Sequence, residues 1–256
     1  MDPATAHVGV GKWTKNIVLT QLIPKSDLVK EIVGFSFVDN VPHTPEATQA
    51  LIEQLAYIMP SHYGGFWDFT SDLKHSDTAY TPLPLPAHTD TTYYGQSAGL
   101  QLFVTPPSTC HFPPRPFPLM AQQHCLKASE TGGGSLLVDG YRAAQTLRNE
   151  HPDSYTVLSR TPVPSHSAGD PNFFFQVKSK PVLCHDLVGT GELVQVRWNN
   201  DDRSAMNEFP ADGGVDAFYL AIKRWNQILT RKESEYWFQL VPGRALSTFP
   251  IRPAAP

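Results

Sequence analysis

Proline placement restricts this chain more than any other feature. The sequence has 24 prolines in 256 residues, gathered in "TPLPLP", "TPPSTCHFPPRPFP" and the terminal "FPIRPAAP". A prolyl ring fixes φ and removes a backbone donor, so such clusters stay out of helix interiors and sheet ladders. Regular structure has to be built from the intervals between them. Most intervals are short apolar runs bounded by turn residues, which is the pattern of strands. "KEIVGFSFVDN" (30–40), "GLQLFV", "GGGSLLVDG", "NFFFQVKSKPVLCHD", "ELVQVRWNN" and "EYWFQLVPG" all read this way.

Helical periodicity is strong in two places. In "TPEATQALIEQLAYI", Thr44 suits an N-cap, Pro45 the first helical position and Glu46 the first turn. Leu51, Leu55, Ile58 and Met59 are its predicted inner stripe. In "DAFYLAIKRWNQILTRKES", Phe218, Ile222, Trp225 and Leu229 share one face. "DGYRAAQTLRNEHPDSYTVLSRTPV" reads as helix, turn and strand. Many strands, few helices, no βαβ alternation and no fixed repeat predict a mainly β fold with flanking helices. A double-stranded β-helix, or jelly roll, fits that order.

Composition limits the function. A formal net charge of -4 argues against nucleic acid or an anionic membrane as the main partner. No segment is apolar for long enough to span a bilayer. Cys110, Cys125 and Cys184 are odd in number and irregularly spaced, so they predict no disulfide framework. Each adjoins a histidine, but no CxxC or HxxxH spacing of a structural zinc site accompanies them.

"PLPAHTDTTYYG" carries the candidate chemistry. His88 and Asp90 lie two apart, which places both side chains on one face of an extended backbone. One imidazole and one carboxylate, joined by a distant histidine, make the facial triad of a non-haem Fe(II) oxygenase. The same triplet also suits a loop histidine followed by an Asx-turn aspartate. Three residues do not choose between these.

The surrounding blocks are more specific: "HYGGFWDFTSDLKHSDTAYTPLPLPAHTDTTYYGQSAGLQLF", "HCLKASETGGGSLLVDGYRAAQTL", "VRWNNDDR" and "ESEYWFQLVPGR". Through them the chain resembles the trimethyllysine dioxygenase and gamma-butyrobetaine dioxygenase family, whose members have a taurine dioxygenase-like jelly roll. "SDTAYT…HTDTTYY" is closer to the trimethyllysine branch. The resemblance implies Fe(II), with 2-oxoglutarate and O2 as cosubstrates and ascorbate as a supporting reductant. It implies hydroxylation of N6,N6,N6-trimethyllysine at the β-carbon, a step of carnitine biosynthesis. The partner would be a small molecule bearing a trimethylammonium group, and the compartment cytoplasmic or mitochondrial. The residues do not choose between monomer and homodimer, since the helix "DAFYLAIKRWNQIL" suits a partner's surface as well as the chain's own sheet.

By the same resemblance His88 and Asp90 match iron ligands, and Tyr63, Trp67 and Tyr80 match an aromatic cage. Ring faces suit a quaternary ammonium, which has no hydrogen to donate. Asp77 stands where the butyrobetaine branch has asparagine, and its charge suits a substrate with an α-amino group. Asn199 and Asn200 match contacts to the substrate carboxylate. Ser135 replaces a threonine that contacts 2-oxoglutarate and keeps the hydroxyl.

Two stretches depart from the family pattern. "VTPPSTCHFPPRPFPLMAQQ" (104–123) separates "LQLF" from "HCLK", which adjoin in the family, and is expected to loop out. After "EYWFQLVPGRAL" the family continues to a second iron-binding histidine and an arginine that pairs with 2-oxoglutarate. Here "STFPIRPAAP" follows, and no histidine occurs after His185. The expected organisation is an N-terminal segment (1–29) left from a lost domain, an oxygenase domain (30–246) incomplete at its C-terminus, and an aberrant tail (247–256). Both departures are expected to be transcript features, a retained intron and a read-through. Two other readings remain: butyrobetaine hydroxylation, which Asp77 opposes, and a catalytically dead remnant that binds a quaternary ammonium ligand.

Overall fold

The computed structural model describes residues 17–19, 35–42, 44–61, 64–66, 84–95, 101–105, 134–170, 173–177, 180–186, 188–189, 191–241 and 243–248. The proline-rich 104–123 stretch, apart from its first two residues, lies outside them, as do Tyr63, Trp67, Asp77 and Tyr80.

The largest sheet has the order β1-β2-β10-β3, from β1 (Ile17–Leu19), β2 (Phe35–Val38), β3 (Gln101–Thr105) and β10 (Arg244–Thr248). β1 runs parallel to β2; β10 is antiparallel to both β2 and β3. The C-terminal strand thus fills the middle of a sheet whose other members come from the first half of the chain. Its register sets Leu246 opposite Phe37 on one side and Phe103 on the other. Arg244 fixes that register with a forked bond to Asp39, Nε to Oδ1 at 2.6 Å and a second nitrogen to Oδ2 at 3.2 Å. β10 runs through Thr248, so Ser247 and Thr248 pair within the sheet beyond the boundary expected at 246.

β4 (Ser135–Val138) pairs with β9 (Glu235–Phe238). Leu137, Tyr236 and Phe238 from this pair pack on Phe35, Phe37, Leu240 and Leu246. Phe37 and Phe238 meet edge to face at 5.3 Å, an arrangement aromatic quadrupoles favour.

The larger core is helical. α1 (Pro45–Leu55) stands apart from it, while α2 (Gly140–Glu150), α3 (Pro152–Arg160) and α4 (Gly214–Leu229) cover the hairpin of β7 (Leu183–His185) and β8 (Leu193–Val196). Asp139 starts α2 by accepting from the N–H groups of Tyr141 and Arg142, both at 3.0 Å. Leu147, Leu158, Leu183, Phe218 and Trp225 are fully buried between these elements. α4 buries Phe218, Ile222, Trp225 and Leu229, as its period predicts.

Some expectations change. α1 is capped by Thr44, which accepts from Ala47 N–H at 3.2 Å, but it buries Thr48, Leu51 and Ile52. The helix ends at Leu55, so Ile58 and Met59 fall outside its stripe and Met59 is exposed. Pro152 opens a second helix where a turn and strand were expected. It stands at the first position, where its missing N–H costs nothing. β5 (Ser165–Asp170), "SHSAGD", has no apolar alternation and becomes a strand through its partner β6 (Phe173–Val177). Among the described residues the strands form one sheet of four and three of two, and they do not close into a barrel. No described helix is long and apolar enough to cross a membrane.

Candidate metal and substrate site

Residues 84–95 form a turn-rich segment, not a strand. His88 and Asp90 converge nevertheless, because this segment is tied to the end of β8. Thr89 N–H donates to the Trp198 carbonyl at 2.6 Å, and Trp198 N–H donates to Thr89 Oγ1 at 2.8 Å. The residue between the two candidate ligands is thereby pinned to the core, and its neighbours project together. Thr91 takes φ 56, a left-handed conformation uncommon for a β-branched residue, and turns the chain. Buried Arg197 closes the turn by donating to the carbonyls of Thr92 and, at 2.8 Å, Tyr94. Thr92 hydroxyl donates to Asp202 Oδ2 at 2.6 Å, a third tie between the segment and the chain after β8.

His88 Nδ1–H donates to the Pro86 carbonyl at 2.7 Å, and Nε2 lies 3.0 Å from Asp90 Oδ1. A carbonyl can only accept, so the Pro86 contact assigns the Nδ1 proton and turns Nε2 toward the carboxylate. Burial disfavours charge on His88. The hydrogen bond and charge of Asp90, the Pro86 carbonyl and the more distant Asp202 outweigh it and raise the imidazole pKa to about 9.

The donor set fits two positions of a metal site. Ligand atoms about 2.1 Å from one ion and at right angles to each other stand about 3.0 Å apart. His88 Nε2 and Asp90 Oδ1 have that spacing. The Nδ1–H contact to a backbone carbonyl is the usual outer support of a metal-bound histidine. Among the described residues no third His, Cys, Asp or Glu joins them.

The remaining expected residues are placed as follows. Asn199 follows Trp198 and lines a cleft beside the turn; its Oδ1 accepts from Asp201 N–H at 3.0 Å. Asn200 is exposed, and its Oδ1 accepts from Arg203 Nε at 3.1 Å. Ser135 opens β4 opposite Phe238, half-buried, with no described contact to His88 or Asp90. Sequence reasoning missed Arg197, Thr89 and Asp202. A charged residue continuing the apolar run "LVQV" into "RWNN" was the available signal for Arg197, since a buried arginine must be engaged with acceptors.

The fold and this site together define a class. A taurine dioxygenase from Burkholderia xenovorans superposes with a TM-score of 0.51 at 16% identity, covering 91% of this chain and 74% of that one. Residues 116–246, just over half of the chain, match the taurine catabolism dioxygenase TauD, TfdA family, and the chain belongs to that family. It is 44% identical over 213 residues to the trimethyllysine dioxygenase of Meyerozyma guilliermondii, covering 83% of this chain and 48% of the relative. The Neurospora crassa trimethyllysine dioxygenase is 44% identical over 235 residues, with coverage of 86% and 49%. The human gamma-butyrobetaine dioxygenase is more distant, 26% identical, with coverage of 84% and 50%. The chain therefore spans about half the length of these relatives.

Proposed function

We propose that the chain is the oxygenase unit of an Fe(II)- and 2-oxoglutarate-dependent hydroxylase, built on a jelly roll, acting on the β-carbon of N6,N6,N6-trimethyllysine. The observation that carries it is the His88–Asp90 pair, with Nε2 and Oδ1 facing one another and Nδ1 held by Pro86. His88 Nε2 and Asp90 Oδ1 would hold the iron. Bound there with 2-oxoglutarate and O2, iron supplies the oxidising power to hydroxylate an unactivated C–H bond. The residues supply placement. Thr89 and Arg197 hold the ligand turn rigid, Tyr63, Trp67 and Tyr80 offer ring faces to the trimethylammonium group, and Asp77 meets the α-amino group. Ser135 offers its hydroxyl to 2-oxoglutarate. The greater identity to trimethyllysine dioxygenases than to the butyrobetaine enzyme supports the choice of substrate.

A second reading has its own observation: the described residues bring only two ligands together. It is a chain that binds the quaternary ammonium ligand without turning it over. Incubation with Fe(II), 2-oxoglutarate, O2, ascorbate and trimethyllysine separates the two, read by mass spectrometry and by binding calorimetry. Product with one added oxygen, lost in Asp90→Ala, supports the hydroxylase. Binding without product supports the second reading, and no binding removes both. Faster conversion of butyrobetaine than of trimethyllysine would overturn the substrate assignment.

A further inference from the structure

Two carboxylates follow one another after β8, Asp201 and Asp202, and they are used differently. Asp201 is exposed and gives its N–H to Asn199. Asp202 is half-buried, and its Oδ2 accepts the hydroxyl of Thr92, a residue only 3% exposed, at 2.6 Å. We infer that Asp202 is a positioning residue of the metal site: without being a ligand, it holds the ligand turn through Thr92 and adds a second negative charge that favours a divalent cation at His88 and Asp90. This rests on the metal-dependent reading above.

The carboxylate has a fixed station. The Asp202 carbonyl accepts from His166 N–H at 2.8 Å, Ser204 N–H donates to the Pro164 carbonyl at 2.8 Å, and Arg203 bridges Ser165. His166 Nδ1 and Ser204 Oγ add a contact at 2.9 Å. The backbone around Asp202 is thereby stitched to β5, and its side chain reaches from there to the ligand turn. Asp90 and Thr92 are two residues apart, so their Cα atoms are separated by at most about 7 Å. Asp202 is not one of the ligands, since among the described residues no third donor joins His88 and Asp90.

The charge count gives this station its use. Two carboxylates serve one short turn, and like charges held near each other are unfavourable. In the metal-free protein protonated His88 offsets part of that cost, and Asp202 is among the charges that act on its imidazole. A divalent cation offsets all of it, since a neutral imidazole and two carboxylates balance its charge. Arg197 opposes them from beneath the turn, where it donates to the Thr92 and Tyr94 carbonyls. Without Asp202 the turn would set one carboxylate against that guanidinium. Arg203 is directed elsewhere, to Asn200 and the Tyr219 ring. The tie and the charge are separable, because an asparagine amide oxygen also accepts a hydroxyl proton but carries no charge.

The test is calorimetric titration of the full chain with Co(II), an oxygen-stable stand-in for Fe(II), for wild type, Asp202→Asn, Thr92→Val, Thr92→Ser and His88→Ala. Asp202→Asn keeps the tie and loses the charge, so its affinity is expected to fall about tenfold at low salt, with the deficit shrinking as salt is raised. Thr92→Val frees the carboxylate to turn to solvent and lowers the affinity about tenfold with the same salt dependence, and Thr92→Ser restores it. Thermal unfolding without metal reports whether each fold survives; the near-isosteric Thr92→Val decides if Asp202→Asn does not fold. An affinity that depends on His88 but is unchanged in every folded Asp202 and Thr92 variant overturns the inference and leaves the metal site standing. A loss in Thr92→Val with none in Asp202→Asn, or a loss indifferent to salt, also overturns it, because Asp202 would then be a tie alone. Co(II) binding that is the same in His88→Ala removes the metal site and this inference with it.

Discussion

Replacing Asp90 with Asn in the metal-free protein tests how the ligand pair is built. His88 is expected to keep its proton up to about pH 9, against an ordinary value of 6.5. Both side chains are less than a third exposed, at 22% and 28%, so solvent screens the pair only in part. The interval from 6.5 to about 9 corresponds to about 3 kcal/mol of differential interaction at most. The sign follows from linkage. A pKa raised on folding contributes stability that is complete below 6.5 and is lost as pH rises through about 9. In Asp90→Asn the charge and the strong acceptor are gone while burial, the Pro86 carbonyl and Asp202 remain, so the His88 pKa falls from its wild-type value. The assay is an NMR titration of the histidine ring protons from pH 5 to 10, with urea unfolding at pH 6 and pH 10. Wild type should exceed the variant in stability at pH 6 by more than it does at pH 10. A divalent metal competes for the same two atoms, so adding one should abolish the His88 titration. A wild-type His88 that titrates at or below 6.5, or a stability difference equal at the two pH values, refutes the argument.

Arg197→Met leaves the carbonyls of Thr92 and Tyr94 without their donor and should cost about 1–3 kcal/mol. Hydrogen exchange should show earlier opening at residues 91–95, and metal affinity should fall about tenfold or more as the ligands lose their support. Asp139→Ala removes two N-terminal hydrogen bonds of α2 and should cost about 1 kcal/mol by urea denaturation, with metal binding unchanged. Leu147→Ala empties a fully buried site among α2, α3 and α4 and should cost about 2–5 kcal/mol in the same assay. Glu46 and Thr44 open α1; Thr44→Ala should cost about 1 kcal/mol, read as a lower thermal midpoint.

Local rules were readable directly from the residues. Thr44 and Pro45 announce α1 because a hydroxyl acceptor and a ring with fixed φ act within a few residues of themselves. The 3.6-residue period of Phe218, Ile222, Trp225 and Leu229 names the buried face of α4, since one apolar stripe has one way to leave water. His88 and Asp90 were recognisable as a candidate pair because residues two apart share one face of an extended backbone, although spacing alone does not make them meet. Pro152 misled because its ring serves a turn and a helix start equally well, and the choice was made by burial of Leu158 against the helical core.

Tertiary structure decided what no local rule reaches. β5 has no apolar alternation, and only the pairing of Ser165 with Val177 and of Ser167 with Phe175 makes it a strand. β10 enters between β2 and β3 across more than 130 residues of chain, so its neighbours depend on loop closure and on Asp39 meeting Arg244. The site follows the same division. Its ligand types were set by the sequence "HTD", whereas their alignment comes from Thr89 and Thr92 meeting Trp198 and Asp202 about 110 residues away. Side-chain chemistry is a property of each residue, but its direction is a property of the packing that holds it.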